Sequence, residues 1–262
     1  MPSGSVIASD PLKRLLYPPL GTALVIAAWH FACVEFAIST TVLPKPALVL
    51  QAAIADWELL LSEGWVTFQE TLYGFLLALA VGIPIAVAIT ASQTVNLMFY
   101  PILIALQSVP KVALAPILLV WLGLGIESKL AIAWLVAFFP IVVDTAAGLQ
   151  STPRELLELA RSLRASRWQI FAKVQFPAAL PFVVTGSKVA VTLAVIGAVI
   201  GEFVGSSEGL GYLLLAATSQ INSPLAFAAL FALAALGILA YLAVVGVEWL
   251  LSPLLPHAAT RE

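Results

Sequence analysis

Residues 177–201 read PAALPFVVTGSKVAVTLAVIGAVIG, and Lys188 is the only charged residue among them. A helix rises about 1.5 Å per residue, so a run of this length reaches across the roughly 30 Å hydrocarbon core of a bilayer. In lipid every backbone polar group must find an internal partner, which favours a helix for so long an apolar run. The stretch therefore predicts a membrane-spanning helix.

Five further apolar runs accompany it, over residues 15–34, 72–91, 97–125, 130–149 and 225–247. Only 10% of the 262 residues are charged, and the mean hydropathy is +1.05. Soluble domains carry about 25% charged residues, which excludes a soluble bundle of six buried helices. We predict an all-α, polytopic membrane protein with about six transmembrane helices, forming a single domain over residues 1–262.

The distribution of basic residues predicts the orientation of these spans. With six spans, both termini and the segment 150–176 lie on one side, which receives eight Lys and Arg residues. The other side receives Lys45 and Lys129 together with five acidic residues. We therefore expect both termini and this segment to be cytoplasmic. The first run is too long for a signal peptide, so we expect a retained first span.

The segment 150–176, between the fourth and fifth runs, has the pattern of a helix–turn–helix. Thr152 and Glu155 have the spacing of a capping box, and Pro153 would take the first helical position. This predicts a short helix over residues 153–163. A connection of a few residues would suffice to join two spans, so a folded insert needs another explanation.

A second capping box, Ser166 with Gln169, predicts a helix that runs to about Gln175 and stops at Pro177. The two short helices combine apolar strips with basic residues. Two functions fit these features equally well. The segment is either a docking surface for a cytoplasmic partner or an amphipathic connector that lies on anionic lipid.

The same segment resembles the EAA loop in the membrane subunits of binding-protein-dependent ABC importers. That motif has Glu-Ala-Ala, then three residues and a glycine, and ends in an apolar segment with Leu-Pro. The residues at its positions, which the resemblance assigns to ATPase coupling, are Glu158, Leu159, Ala160, Ser162, Arg164, Ala165, Ser166, Ile170, Pro177 and Pro181. Leu159 replaces the motif alanine and Arg164 the glycine. The turn is therefore either built differently here or is left-handed at Arg164, which would cost on the order of 1 kcal/mol.

Further stretches resemble the sulfonate, taurine and nitrate subgroup of these permeases. They are LPKP (43–46), TLYGF (71–75), SVPKVALAP (108–116), WLGLG (121–125), FP (139–140), GE (201–202) and GLG (209–211). Because they occur in this order over most of the chain, the protein is identified as a member of that family. The resemblance places the permease core at about residues 66–250.

This resemblance implies a set of partners. Two permease copies would pair as a homodimer, each with one copy of a cytoplasmic ATPase that binds ATP and Mg. A periplasmic or lipid-anchored substrate-binding protein would deliver the solute. The chain itself has no G-x-x-x-x-G-K-[ST] phosphate loop and no catalytic His or Cys motif, so we expect no enzyme, cofactor or metal site in it. Its net charge of −2 gives no indication of nucleic-acid binding.

The expected function is ATP-driven import of a small solute through the inner (plasma) membrane, from periplasm to cytoplasm. The resemblance favours a small organic or inorganic anion such as a sulfonate, taurine or nitrate, with a pyrimidine precursor or another small nutrient as the alternative. A self-contained secondary transporter or channel is the other class, because such proteins also have broken spans. Membrane lipid is a partner in either case.

Four residues within the spans are candidates for the translocation path, namely Pro110, Lys111, Lys188 and Glu202. An anionic solute would suit Lys111, which could instead pair with a carboxylate. Three glycines at positions 197, 201 and 205 form a ridge of small residues. The ridge would allow close helix packing, either within one subunit or at a dimer seam.

Overall fold

The computed structural model describes residues 11–251, and this part of the chain contains α-helices and short 3₁₀ and π turns but no strand. The chain termini, which we expect to be cytoplasmic, lie outside the described residues. In chain order the helices are α1 (Pro11–Glu35), α2 (Pro46–Ala55), α3 (Trp57–Thr90), α4 (Gln93–Gln107), α5 (Ala115–Leu122), α6 (Ile126–Gln150), α7 (Arg154–Ser162), α8 (Arg167–Ile170), α9 (Phe176–Gly205), α10 (Leu210–Ser219) and α11 (Ser223–Leu251). A 3₁₀ turn, Lys111–Leu114, precedes α5, and a π turn, Phe171–Gln175, joins α8 to α9.

Within the described range, five helices are long and apolar enough to cross a membrane, namely α1, α3, α6, α9 and α11. Helix α4 and the 3₁₀–α5 unit together form a sixth span that is bent by 86°. The prediction of an all-α protein with about six spans is confirmed. The third predicted run, 97–125, is the one that the structure bends.

The bend follows from the sequence around Pro110. Proline has no backbone N–H, and here it takes the N-cap position of the 3₁₀ turn with ψ of 99°. The N–H groups of Ser108 and Val109 donate to the carbonyls three residues earlier, at 3.1 and 3.3 Å, which closes the end of α4. The new helix then begins with Pro116 in its first turn, where proline is tolerated.

The packing of α3 against α6 shows that the bent span crosses the bundle. Gly82 of α3 lies against Ile141 of α6, and Glu70 of α3 lies against Lys129 of α6. Residue numbers therefore increase together, and the two helices run parallel. Because parallel helices start at the same end, the α4–α5 unit that joins them must return across the bundle.

Helices α6 and α9 run antiparallel. Gly148 near the end of α6 lies against Ala179 near the start of α9, whereas Gly201 near the end of α9 lies against Lys129 near the start of α6. The connection over residues 151–175 marks one end of the bundle, which we call the loop end. The opposite end, where α3 and α6 begin and α9 finishes, is called the far end.

The glycine ridge packs within the subunit. A Cβ at Gly197 would lie 2.6 Å from Cα of Ala133, and one at Gly201 would lie 3.1 Å from Cα of Lys129. A Cβ at Gly205 would lie 2.8 Å from a leucine side chain of the same chain. The ridge therefore lets the backbones of α6 and α9 approach closely, which decides between the two alternatives that the sequence left open.

Candidate coupling loop and polar sites of the bundle

The turn between α7 and α8 is a left-handed helix terminus. Arg164 has φ of 58°, and its N–H donates to the carbonyl of Arg161 at 2.9 Å. The N–H of Ala165 donates to the carbonyl of Ala160 at 3.0 Å. These two bonds are those of a Schellman motif, in which glycine is the usual left-handed residue. Of the two alternatives for this turn, the structure has the left-handed one, and an arginine in this conformation carries a steric cost.

The capping box predicted at the start of the next helix is also confirmed. The N–H of Gln169 donates to the Ser166 hydroxyl at 3.2 Å, and the Ser166 N–H donates to the Gln169 side-chain oxygen at 2.8 Å. The left-handed residue and the capping box lie two residues apart. Together they fix the angle between α7 and α8.

The first predicted capping box is wrong. Pro153 is the N-cap residue of α7, which begins at Arg154, and no side chain caps its first turn. The buried hydroxyl of Thr152 donates instead to the carbonyl of Leu149, at 3.2 Å, in the last turn of α6. Thr152 therefore completes the end of the preceding helix, a competing use of short hydroxyl side chains.

The prediction that Pro177 stops the second short helix is wrong as well. The stretch Arg167–Gly205 is continuous, because a π turn joins α8 to α9. The N–H of Phe176 donates to the carbonyl of Phe171, five residues earlier. This wider turn precedes the proline, whose missing N–H falls in the first turn of α9. Helix α8 is thus continuous with the long helix α9.

The loop places apolar side chains on its surface. Leu159 and Leu163 are 56% and 73% exposed, and Trp168 is 72% exposed. Because this segment lies beyond the ends of α6 and α9, it is a candidate for contact with another protein or with a membrane surface. Of the motif residues, five are exposed and five half-buried: Glu158, Leu159, Ser162, Arg164 and Ser166 in the first group, and Ala160, Ala165, Ile170, Pro177 and Pro181 in the second.

At the far end, an ion pair is buried between α3 and α6. The ammonium of Lys129 lies 3.5 Å from the carboxylate of Glu70, and the two residues are 7% and 1% exposed. Glu202 of α9 is the other charged neighbour of Glu70, and it too is buried. Buried charges are costly unless they are paired, so this cluster ties α3, α6 and α9 together.

The carboxylate of Glu202 also holds the start of α10. It accepts hydrogen bonds from the Thr67 hydroxyl, at 2.6 Å, and from the N–H of Gly211. Glu63 of α3 accepts from the N–H of Gly209. Carboxylates at the first N–H groups of a helix satisfy donors that the helix itself cannot. Glu202, which the sequence analysis named as a candidate for the translocation path, therefore lies in a buried structural cluster.

Lys188, another path candidate, forms an ion pair with Glu248 at 2.5 Å, which joins α9 to α11. Pro110 and Lys111 lie at the bend of the third span. Lys111, together with Asp144 of α6, lines a cavity of about 390 Å³ between the bend, α6 and α9. The structure therefore places the four candidates in three different regions, and of the four only Lys111 lines this cavity.

Sequence reasoning missed the partners at the far end, because it placed Lys129 on one side of the membrane without assigning it a carboxylate partner. The spacing of the GE and GLG stretches, 201–202 and 209–211, carried a usable signal. A carboxylate near the end of a span, followed by glycines that begin a new helix, suggests a cap. That Thr67 and Glu63 complete it depends on the packing of α3, which no local pattern shows.

These features describe a bundle of six spans with a folded helical loop between the fourth and fifth, the architecture of a transport permease. The chain belongs to the family described as binding-protein-dependent transport system inner membrane component, which residues 78–253 match. It is therefore the permease subunit of an ABC importer, a multi-pass inner-membrane component, and not an enzyme. This membership decides against a self-contained secondary transporter or channel.

Two relatives illustrate the breadth of the family. The chain is 36% identical to a formylaminopyrimidine transport permease protein of Halalkalibacterium halodurans, over 92% of this chain and 96% of the relative. It is 28% identical to a taurine transport system permease protein of Escherichia coli, over 94% of this chain and 91% of that protein. The predicted kinship with sulfonate- and taurine-type permeases is confirmed.

A solved structure has the same fold. The chain superposes on the MetNI methionine ABC transporter with a TM-score of 0.66, over 74% of this chain and 96% of that chain. The two sequences are 22% identical over the match. The similarity agrees with the helical architecture described above.

Proposed function

We propose that this permease imports a small solute by taking up the motion of a separate ATPase through the loop over residues 150–176. The observation that carries the proposal is the construction of the loop. A Schellman turn and a capping box fix α7 against α8, and α8 continues without a break into α9. Displacing the loop would therefore move a membrane-spanning helix as a rigid body.

The exposed face of the loop suits a protein partner better than a lipid surface. Leu159 and Leu163 lie beside exposed Glu158 and Arg164, so acidic, basic and apolar groups share one surface. An amphipathic helix on anionic lipid carries mainly basic residues on its polar face. A mixed surface of this kind fits a groove on an ATPase, and two such permeases would bind two ATPase copies.

The orientation follows from the direction of the helices. Helices α3 and α6 begin at the far end, so α1, whose end connects through α2 to α3, begins at the loop end. Helix α11 finishes at the loop end, because Glu248 pairs with Lys188 in the loop-end half of α9. With five Lys and Arg residues between 154 and 173, the loop end is the cytoplasmic side by the positive-inside rule. Both termini are then cytoplasmic.

The solute is a small molecule, for which we expect a small anion such as a sulfonate, taurine or nitrate, with a pyrimidine precursor as the alternative. The names of the two relatives support both kinds of solute. A periplasmic or lipid-anchored binding protein would deliver it to the far end of a permease homodimer. The single permease domain would span residues 1–262, with its core over about residues 66–250.

Co-purification tests the proposal. The permease, expressed with the ATPase and binding protein of its own system, should purify as a complex of two permeases and two ATPases. In proteoliposomes, uptake should require ATP and the binding protein. Mass photometry gives the stoichiometry, and a monomer that transports solute without an ATPase would refute the proposal.

A further inference from the structure

Four charged residues inside the spans, Lys111, Lys129, Asp144 and Lys188, differ in whether they form an ion pair. Lys129 and Lys188 each have a carboxylate within 4.0 Å, on Glu70 and Glu248 respectively. Among residues 16–92 and 94–250, whose side chains the structure describes, Lys111 and Asp144 have no oppositely charged partner within that distance, and they are not that close to each other. An intramembrane charge without an ion-pair partner is a candidate for a functional site, such as the pathway of a substrate or an ion.

Both unpaired residues line the same cavity. It has a volume of about 390 Å³, and its walls come from the bend of the third span, from α6 and from α9. Its other walls include Gln107, Phe139, Val189 and Leu193. Cavities from about 300 Å³ upward hold small organic molecules, so the space suits a small solute.

The ammonium of Lys111 is held in a fixed place. It donates to the carbonyl of Gln107, at 2.7 Å, in the last turn of α4, and lies 4.9 Å from the ring centroid of Phe139. The end of the helix and the face of the ring both favour a cation there. An ammonium has three donors, and the carbonyl uses one of them. The remaining donors are available to an acidic group on a solute.

The side chain of Asp144 packs closely against α9 at Gly186. A Cβ at Gly186 would lie 2.9 Å from both Cβ and Oδ2 of Asp144. The glycine therefore makes room for the aspartate at the contact between α6 and α9. The half-buried carboxylate can accept hydrogen bonds from a donor group in the cavity.

We infer that this cavity binds the solute in transit and that it is built for a small dipolar molecule, with an acidic group toward Lys111 and an amino group toward Asp144. The inference rests on the proposed function and refines the expected solute class. A simple anion would meet the negative charge of Asp144 as well as the positive charge of Lys111. A molecule that bears both kinds of group satisfies both residues.

The charges can be tested without knowing the solute. In the permease–ATPase complex in lipid nanodiscs, with Cys33→Ala as background, Lys111→Cys and Asp144→Cys are each reacted with two thiosulfonate reagents. One reagent is the anionic sulfonatoethyl compound, and the other is the cationic trimethylammonioethyl compound. The labelling rate of each reagent is divided by its rate of reaction with free 2-mercaptoethanol, which removes the difference in intrinsic reactivity between the two reagents.

Asp144→Cys should favour the anionic reagent, because Lys111 remains, and Lys111→Cys should favour the cationic one. A preference of about tenfold is the size expected for charges several ångströms apart at an intermediate dielectric. Adding Lys111→Gln to Asp144→Cys should abolish the first preference. Ile238→Cys, on the exposed face of α11, is the lipid-facing control and should react slowly with both reagents.

Protection from labelling tests the solute class. Taurine, which has a sulfonate and an amino group, should slow labelling of a Val189→Cys thiol on the cavity wall more than ethanesulfonate, which lacks the amino group. Equal protection, or none, would overturn the dipolar assignment. The inference that the cavity is a charged passage would be overturned if neither Lys111→Cys nor Asp144→Cys were labelled. It would also be overturned if the anionic and cationic reagents reacted at equal rates. None of these results depends on uptake, so the proposed function is judged separately by complex assembly and transport.

Discussion

The hydroxyl of Thr67 on α3 joins α9 to α10. It donates to the carboxylate of Glu202 at 2.6 Å and accepts from the N–H of Leu210 at 2.9 Å. All three residues are at most 1% exposed, so water does not compete for these bonds. One hydroxyl therefore satisfies an acceptor near the end of one helix and a donor at the start of the next.

Thr67→Val should destabilise the permease. The substitution keeps the size of the side chain but leaves the Leu210 N–H without an acceptor and removes one donor from Glu202. An unpaired buried polar group costs roughly 1–3 kcal/mol. Thermal unfolding of the purified permease, followed by circular dichroism, should show a clearly lower midpoint.

Thr71→Val is the matched control. Thr71 lies one turn further along α3 and is equally buried, but its hydroxyl has no hydrogen-bond partner among the described residues. Its replacement should leave the midpoint unchanged or raise it, because no bond is lost and a buried hydroxyl is removed. Similar losses in the two variants would contradict the assigned role of Thr67.

The buried ion pair should respond asymmetrically to mutation. Lys129→Met leaves Glu70 and Glu202 in the same buried cluster without an ammonium, and removing one partner of a buried pair costs about 3–5 kcal/mol. Glu70→Gln should cost less, because Lys129 keeps Glu202 as a charged neighbour. The two variants are compared by their yield in the membrane and by the midpoint of thermal unfolding. A larger loss of stability for Glu70→Gln than for Lys129→Met would refute the expectation.

The spans and the loop could be predicted because their signals are local. Long apolar runs predicted the spans, and Ser166 with Gln169 predicted the start of α8. The left-handed turn at Arg164 followed from the glycine that the resembling motif has there. Each of these features depends on a few consecutive residues.

The errors arose where neighbouring structure competes with a local pattern. Thr152 has the spacing of a cap for α7, but packing against α6 turns its hydroxyl back to Leu149. A proline ends most helices, but at Pro177 the preceding π turn allows the helix to continue. The bonds of Thr67 and Glu202 join residues 135 positions apart, which no local spacing predicts.

Glu158→Lys should abolish uptake while leaving the permease in the membrane. Glu158 is exposed on α7 and stands first in the motif of the proposed ATPase contact. Reversing a charge at a docked surface should weaken binding to the ATPase by about tenfold or more. Binding is measured by co-purification or interferometry, and uptake in proteoliposomes.

The control for this variant is Glu155→Lys, the same change on the same helix. Glu155 is also exposed but lies in the first turn of α7, outside the motif. It should cost only about 0.3–1 kcal/mol of local stability through the helix dipole, and ATPase affinity should be close to that of the wild type. Normal uptake by Glu158→Lys would remove Glu158 from the proposed contact.

Arg164→Gly separates backbone strain from partner contact at the odd position of the motif. With φ of 58°, Arg164 should lose strain on replacement, which stabilises the isolated permease by up to about 1 kcal/mol, partly offset by the freer unfolded chain.

Ile221→Gly is the control, because Ile221 has φ of 59° in an equivalent Schellman turn between α10 and α11, at the far end. A β-branched residue is more strained there, so Ile221→Gly should raise the unfolding midpoint further without changing ATPase affinity. A gain in midpoint with unchanged affinity for Arg164→Gly supports strain alone. Lower affinity with an unchanged midpoint would show that the guanidinium contacts the ATPase and that strain at this position is negligible.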